Sequence, residues 1–289
     1  VKVVGEKLAN GAAYLQVAPL ALVFAIFFVL PIGLVVVVSF FDYQTYDILI
    51  PDFTFQNYID VFTQSVTYQT YWITVRFCLT VWAITFVLGF TIAYFLTFHV
   101  RTLTMQIVLF LLCTIPFWTS IVIRMISWIP LLGRNGVVNS ALIDLGIVPE
   151  PLEWLLYSEF AVIIGYVHLY TLFMIVPIFN SMMRIDKSLL EAAEDAGASG
   201  WQTVWLVVLP LCKPGIAIGS IFVIAMVMGD FVTVNVLGGG QIASVGKAIA
   251  TELSYLQFPP AAANAMVLLG VVVLLIMLLM RFADVRREL

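Results

Sequence analysis

EAAEDAGASGWQTVWLVVLP, from Glu191 to Pro210, is a charged, glycine-interrupted stretch set between long apolar runs. Outward from it, apolar windows cover about 14–41, 72–98, 106–128 and 160–179 upstream, and 216–234 and 261–282 downstream. Each except the fifth approaches or exceeds the ~20 residues that a helix needs to cross ~30 Å of hydrocarbon. The fifth is short if it stops at Asp230. It is read here as running on through Phe231, Val232, Thr233 and Val234 to a break at Gly238-Gly239-Gly240, where glycine removes side-chain packing and helical preference. Hydrophobic residues make up 63% of the 289 and charged ones 10%, which excludes a water-soluble globule, whose shares are roughly half and a quarter. A transmembrane barrel would need alternating segments of ~10 residues, and these runs are continuous. The expected fold is an all-α integral membrane protein, one domain over 1–289 with six transmembrane helices and a polar loop at 180–215.

Lys and Arg set the expected orientation. With both termini in the cytoplasm, the inner segments hold Lys2, Lys7, Arg101, Arg184, Lys187, Lys213, Arg281, Arg286 and Arg287, whereas Arg134 and Lys247 face out and Arg76 and Arg124 lie in or near spans. That asymmetry follows the positive-inside rule. The first apolar run is longer than a signal-peptide core and is expected to remain as a span. Cys78, Cys113 and Cys212 have no paired spacing that suggests a disulfide framework or a metal site. The longest connections are of order thirty residues, too short for a separate core.

Within the polar loop, Asp186 to Ala196 is a run of good helix formers, and Gly197 can supply the left-handed residue that ends a helix. A second helical stretch, Trp201 to Leu209, then meets Pro210 and Pro214. Two short helices joined by a glycine turn would make a cytoplasmic knob for a soluble partner. A helix lying on the membrane surface, with Trp201, Trp205 and Val208 facing lipid, fits the same residues.

The spacing Glu191-Ala192-Ala193, three residues, Gly197, nine residues, Val207, one residue, Leu209-Pro210 resembles the EAA loop of ABC importer permeases, with Val207 in place of the usual Ile. The segments PFWTSIVIRMISW (Pro116 to Trp128), LLGRNGVVN (Leu131 to Asn139), LLEAAEDAGAS (Leu189 to Ser199) and GDFVTVNVLGGG (Gly229 to Gly240) are similar to the first permease subunit of spermidine/putrescine importers. The resemblance implies a type I ABC importer permease fold in the bacterial inner membrane. It also implies a second, unlike permease, an ATPase homodimer carrying ATP and magnesium, and a periplasmic substrate-binding protein. Glu191, Ala192, Ala193, Gly197, Leu209 and Pro210 would then couple this chain to the ATPase, and no cofactor is expected in the chain itself.

The chain's own nearest approach to a phosphate-binding loop, GGGQIASVGKA, has the wrong spacing and no Ser or Thr after Lys247, so no ATP hydrolysis is expected here. Asp230 is the one carboxylate clearly inside an apolar window. An intramembrane aspartyl protease would need a second, facing aspartate, which no other span supplies. An ion-coupled secondary transporter is the stronger rival, since an ionised residue in a span is costly and often marks an ion path. Arg124 and Asp230 come within roughly 6 Å of the same depth by helix rise, which allows a contact between them; alternatively Arg124 anchors its helix at the outer interface and Asp230 is satisfied by backbone amides. For a flexible chain of ammonium groups, Asp230 with Trp118, Trp128, Tyr166, Tyr170 and Phe231 could offer a carboxylate and aromatic faces along a pathway, with Arg124 beside them. His168 has no neighbouring ligand residues and is read as a packing histidine, and Pro177 is expected to kink the fourth span.

Overall fold

The computed structural model describes residues 16–44 and 49–283; Lys2, Lys7, Asp47, Arg286 and Arg287 lie outside them. In chain order the helices are α1 (Gln16–Val38), α2 (Gln56–Thr63), α3 (Ser65–His99), α4 (Leu103–Trp118), α5 (Ile121–Leu132), α6 (Val137–Asp144) and α7 (Glu159–Met182). They continue as α8 (Lys187–Asp195), α9 (Gly200–Leu211), α10 (Lys213–Gly229), α11 (Val232–Leu237), α12 (Val245–Ser254) and α13 (Phe258–Ala283). Among the described residues there is no β-strand, only an isolated bridge between Asp42 and Ile50. Among the described residues five helical stretches, with α5 and α6 counted as one, are long and apolar enough to span a bilayer, and the total is six when α9 and α10, bent by 70° at their joint, are counted together as one broken span.

Two of the expected spans are not single helices. The window 106–128 is carried by α4 and α5, because α4 tightens to a 3-10 turn over Ile115–Trp118 and the chain turns extended at Thr119. Pro116 explains the stop: it has no N–H to give to the preceding turn, and its ring crowds that turn's carbonyl. The fifth window breaks at Asp230, not at Gly238. α10 ends at Gly229, Asp230 is extended at φ −76° and ψ 125°, and α11 then starts afresh. By contrast, α7 continues through Pro177 as one helix.

The described residues divide into two compact units. In the first, which includes α1 and α2, the Asn57 amide donates to the carbonyls of Ser39 (3.0 Å) and Phe41 (2.8 Å), and the Ser39 and Tyr58 hydroxyls lie 2.7 Å apart. These bonds tie the end of α1 to α2 and satisfy carbonyls that the helix end leaves open. Phe40 stacks on Phe53 beside them.

The second unit, from Ser65 to Ala250 with Leu268 onward, is built around α7. Its close helix approaches use glycine. Met174 is fully buried, and a Cβ at Gly89 would lie 2.7 Å from its Cγ, while one at Gly219 would lie 2.8 Å from its Sδ. A Cβ at Gly215 would overlap the Pro177 carbonyl and the Ser181 hydroxyl. Gly215 and Gly219 are one turn apart on α10, the small-residue spacing by which helices approach closely in lipid, where packing rather than water drives association. Polar pegs add to it: the Trp82 indole donates to Ser220 at 2.8 Å, and the buried amide of Val245 to Thr74 at 3.0 Å. Asn139 is fully buried and pins the loop after α6, donating to the carbonyls of Gly133 and Leu152 and accepting from the Leu152 amide at 2.8 Å.

Candidate functional site

The Glu191–Pro210 segment folds as two short helices because both carry local caps. The Asp186 carboxylate accepts from the Ser188 amide at 3.0 Å and starts α8, and these bonds hold its pKa below the usual carboxylate range. Gly197 sits at φ +82° just after α8, a conformation that glycine adopts without penalty. Ser199 and Gln202 form a reciprocal capping box at the start of α9. Glu191, Ala192 and Gly197 are exposed and Ala193, Leu209 and Pro210 half-buried. On the other side, Leu190 and Ile185 pack against the apolar core, so the segment presents its acids outward from a fixed seat. Trp201 and Trp205, one turn apart on α9, are exposed with their rings in edge contact.

The candidate pathway residues separate into two groups on different faces of α7. Tyr166 and Tyr170 are buried and stacked on one face, near the break between α10 and α11. The Tyr170 hydroxyl donates to the Asp230 carboxylate at 2.6 Å, and the Tyr166 hydroxyl reaches the Asp230 carbonyl at 3.4 Å. The same carboxylate accepts from the Thr233 amide (3.0 Å) and the Thr233 hydroxyl (2.7 Å). Asp230 thus caps the start of α11, taking up the Thr233 amide that a helix start leaves without a partner. Both of its oxygens are engaged inside the chain, which matches the alternative of an acid satisfied by a backbone amide, and the D-F-V-T pattern at Asp230–Thr233 is the local signal for it.

On another face, the Trp128 indole donates to Nδ1 of His168 at 3.1 Å, with the two rings in edge contact. Arg124 lies on the same side, in a pocket of about 220 Å³ whose walls include His168 and Thr171. Arg124 and Asp230 do not pair: the ion pairs among the described residues join Arg76 to Glu159 and Arg134 to Glu153. Both of those are well exposed and contribute at most about 1 kcal/mol each. Trp118 and Phe231 are exposed and line neither this pocket nor its larger neighbour.

That neighbour is a groove of about 920 Å³ along the second half of α7, closed by the starts of α8 and α10 and running from Phe117 to Asn180, Arg184 and Asp186. Its size is that of a pocket for a whole small ligand. Sequence reasoning passed over Asn180 and Ser181, whose polar side chains at the end of an apolar run were the available signal. It also passed over Trp82, Phe86, Phe90 and Tyr94, whose four-residue spacing places successive rings 6.0 to 6.4 Å apart along α3.

Comparison with known proteins gives these features a class. The structure superimposes with a TM-score of 0.76 on a chain of a bacterial ABC transporter involved in the import of the acidic polysaccharide alginate, covering 98% of this chain and 99% of that one at 17% identity. A chain of a bacterial alginate ABC transporter in complex with an alginate pentasaccharide-bound periplasmic protein gives 0.75 over 98% of this chain and 97% of that one, at 17% identity. The fold is that of an ABC importer permease. A family model described as the binding-protein-dependent transport system inner membrane component matches residues 85–287, and the chain belongs to that family. It is 35% identical over 240 residues to the spermidine/putrescine transport system permease protein PotB of Haemophilus influenzae, covering 82% of each. Against PotB of Escherichia coli it is 34% identical over 192 residues, covering 66% of this chain and 69% of the relative. The chain is therefore a multi-pass inner-membrane permease, a non-catalytic transport component.

Proposed function

We propose that this permease forms half of the translocation pathway of an ATP-driven importer for a polyamine or related cationic amine, delivered by a periplasmic binding protein. The observation that carries the substrate class is the 35% identity to a spermidine/putrescine permease over 82% of both chains. The alginate importer shares the fold at 17% identity, which bears on architecture and leaves the solute to the closer relatives.

In this reading the exposed knob of α8 and α9 docks on a separate ATPase that holds ATP and magnesium, with Glu191, Ala192, Ala193 and Gly197 at the contact and Leu209 and Pro210 at the joint leading into α10. Supporting it are the outward acids of α8 and the 70° bend between α9 and α10, which lets a push on the knob turn into rotation of a span. Both termini are cytoplasmic, as the distribution of Lys and Arg favours. A second permease, unlike this one, faces the groove on α7 and completes the path. Tyr166 and Tyr170 hold Asp230 at the α10–α11 joint, where its carboxylate favours a passing ammonium group; Phe231 follows it in the chain, and Trp118 and Trp128 offer aromatic faces elsewhere along the path.

The test is ATPase stimulation in a reconstituted complex of the two permeases and the ATPase. Addition of spermidine-loaded binding protein should raise hydrolysis in the native complex and fail to do so in Glu191→Arg, with the ATPase no longer co-purifying. Unchanged stimulation in Glu191→Arg would refute the docking assignment.

A further inference from the structure

Arg124 is the polar group that the amine reading leaves unused. It sits one turn into α5 with 9% of its surface exposed, yet its Nε has no hydrogen-bond partner and neither ion pair among the described residues involves it. A buried N–H without an acceptor is expensive, because its hydration is lost and nothing replaces it, and the charge on the same guanidinium adds to the cost. Asp230, the acid nearest to hand in the sequence reading, is committed to Thr233 and Tyr170.

The pocket beside Arg124 has a matching character. Because the Trp128 indole donates to Nδ1 of His168, the neutral imidazole carries its proton on Nε2, which leaves a second donor. The Thr171 hydroxyl already donates to the Val167 carbonyl at 2.5 Å. No carboxylate is among the lining residues. At about 220 Å³ the space is below the ~300 Å³ where pockets for whole ligands begin, yet it holds several water volumes of ~30 Å³, so it suits one functional group of a larger body. Phe117 and Leu172 line both this pocket and the larger groove, so the two spaces lie side by side along α7.

We propose that the pocket between Arg124 and His168 receives a carboxylate, which pairs with the guanidinium and accepts from the imidazole Nε2–H. Two sources share that chemistry: a carboxylate on the transported solute, and an acidic side chain of the second permease. The proposal does not rest on the amine assignment. A solute source would mean that the cargo carries an acid as well as any amine, whereas a permease source would neutralise Arg124 and lower its repulsion of a passing cation.

The test uses the assembled transporter in lipid nanodiscs, with sodium acetate titrated against sodium chloride at constant ionic strength. A solute site predicts saturable protection of the native assembly by acetate against thermal dissociation, weakened about tenfold or more in Arg124→Gln. A permease site predicts no acetate effect, a similar loss in the affinity between the two permeases in Arg124→Gln, and recovery when one partner acid is neutralised in the same complex. An Arg124→Gln assembly that dissociates like the native one, with acetate inert in both, would overturn the proposal. Should Arg124→Gln fail to accumulate, Arg124→Lys and His168→Gln carry the same comparison. Both are expected to weaken acetate protection or permease association at least severalfold, and native behaviour in both would overturn the proposal.

Discussion

Replacing Asp230 with alanine should open the joint between α10 and α11. The substitution removes the acceptor for the Thr233 amide at 3.0 Å, the Thr233 hydroxyl at 2.7 Å and the Tyr170 hydroxyl at 2.6 Å. Loss of a helix cap costs about 1 kcal/mol, and stranding a buried hydroxyl such as that of Tyr170 adds about 1–3 kcal/mol. The Thr233 hydroxyl can turn to another acceptor and contributes little to the sum. A total of about 2–4 kcal/mol is expected for Asp230→Ala. Asparagine caps helices as well as aspartate does, and its amide can donate to the Tyr170 hydroxyl, so Asp230→Asn should cost about 1 kcal/mol. Reversible unfolding of the purified chain in mixed detergent micelles, followed by circular dichroism, gives both values. Equal stability of the two variants would refute the capping argument. Transport separates the cap from the charge: if Asp230 also eases cation passage, Asp230→Asn slows uptake while the fold survives, and unchanged uptake would leave capping as its whole role.

Gly219→Leu should separate α10 from α7, because its first side-chain atom already falls 3.2 Å from the Met174 Cα; loss of expression or assembly is expected, and native thermal stability would contradict the close approach. At Gly197, φ is +82° with open space around it, so Gly197→Val strains the backbone by about 1–2 kcal/mol without a clash. Amide exchange should show α8 fraying at its end while the transmembrane helices keep their protection. Glu252, outside the spans, has its pKa raised by burial, an effect that the Asn264 bond partly offsets. A proton held more tightly in the folded state means stability that is greatest at low pH and falls as pH rises through and just above the usual carboxylate range. Glu252→Gln should flatten that fall in thermal unfolding measured from pH 4 to 8, and an identical pH profile in the two proteins would contradict it.

The apolar windows were legible because a bilayer demands long continuous runs whatever the tertiary packing. The helices of the EAA segment were legible because their signals are local: an acid at Asp186, glycine at Gly197, and a run of helix formers between them. The breaks were harder. Pro116 carries the information that ends α4, yet it sits among apolar residues that a hydropathy window counts as span. At Asp230 backbone amides are an expected partner, but hydropathy runs the span on to Gly238, whereas aspartate three residues before threonine begins a new helix there. Whether Arg124 meets Asp230 depended on which way α5 and α10 turn, and depth along helix axes says nothing of rotation about them. His168 and Trp128 belong to different helices, and no spacing in the chain announces their hydrogen bond.

Uptake of labelled spermidine bears most directly on the proposed role. Proteoliposomes would hold this permease with its second permease and ATPase, with the binding protein and internal ATP each supplied or withheld. Accumulation that requires both is the result predicted for half of an ATP-driven amine importer. Accumulation driven by an ion gradient without ATP, or ATP-driven uptake of another solute with spermidine excluded, would contradict it.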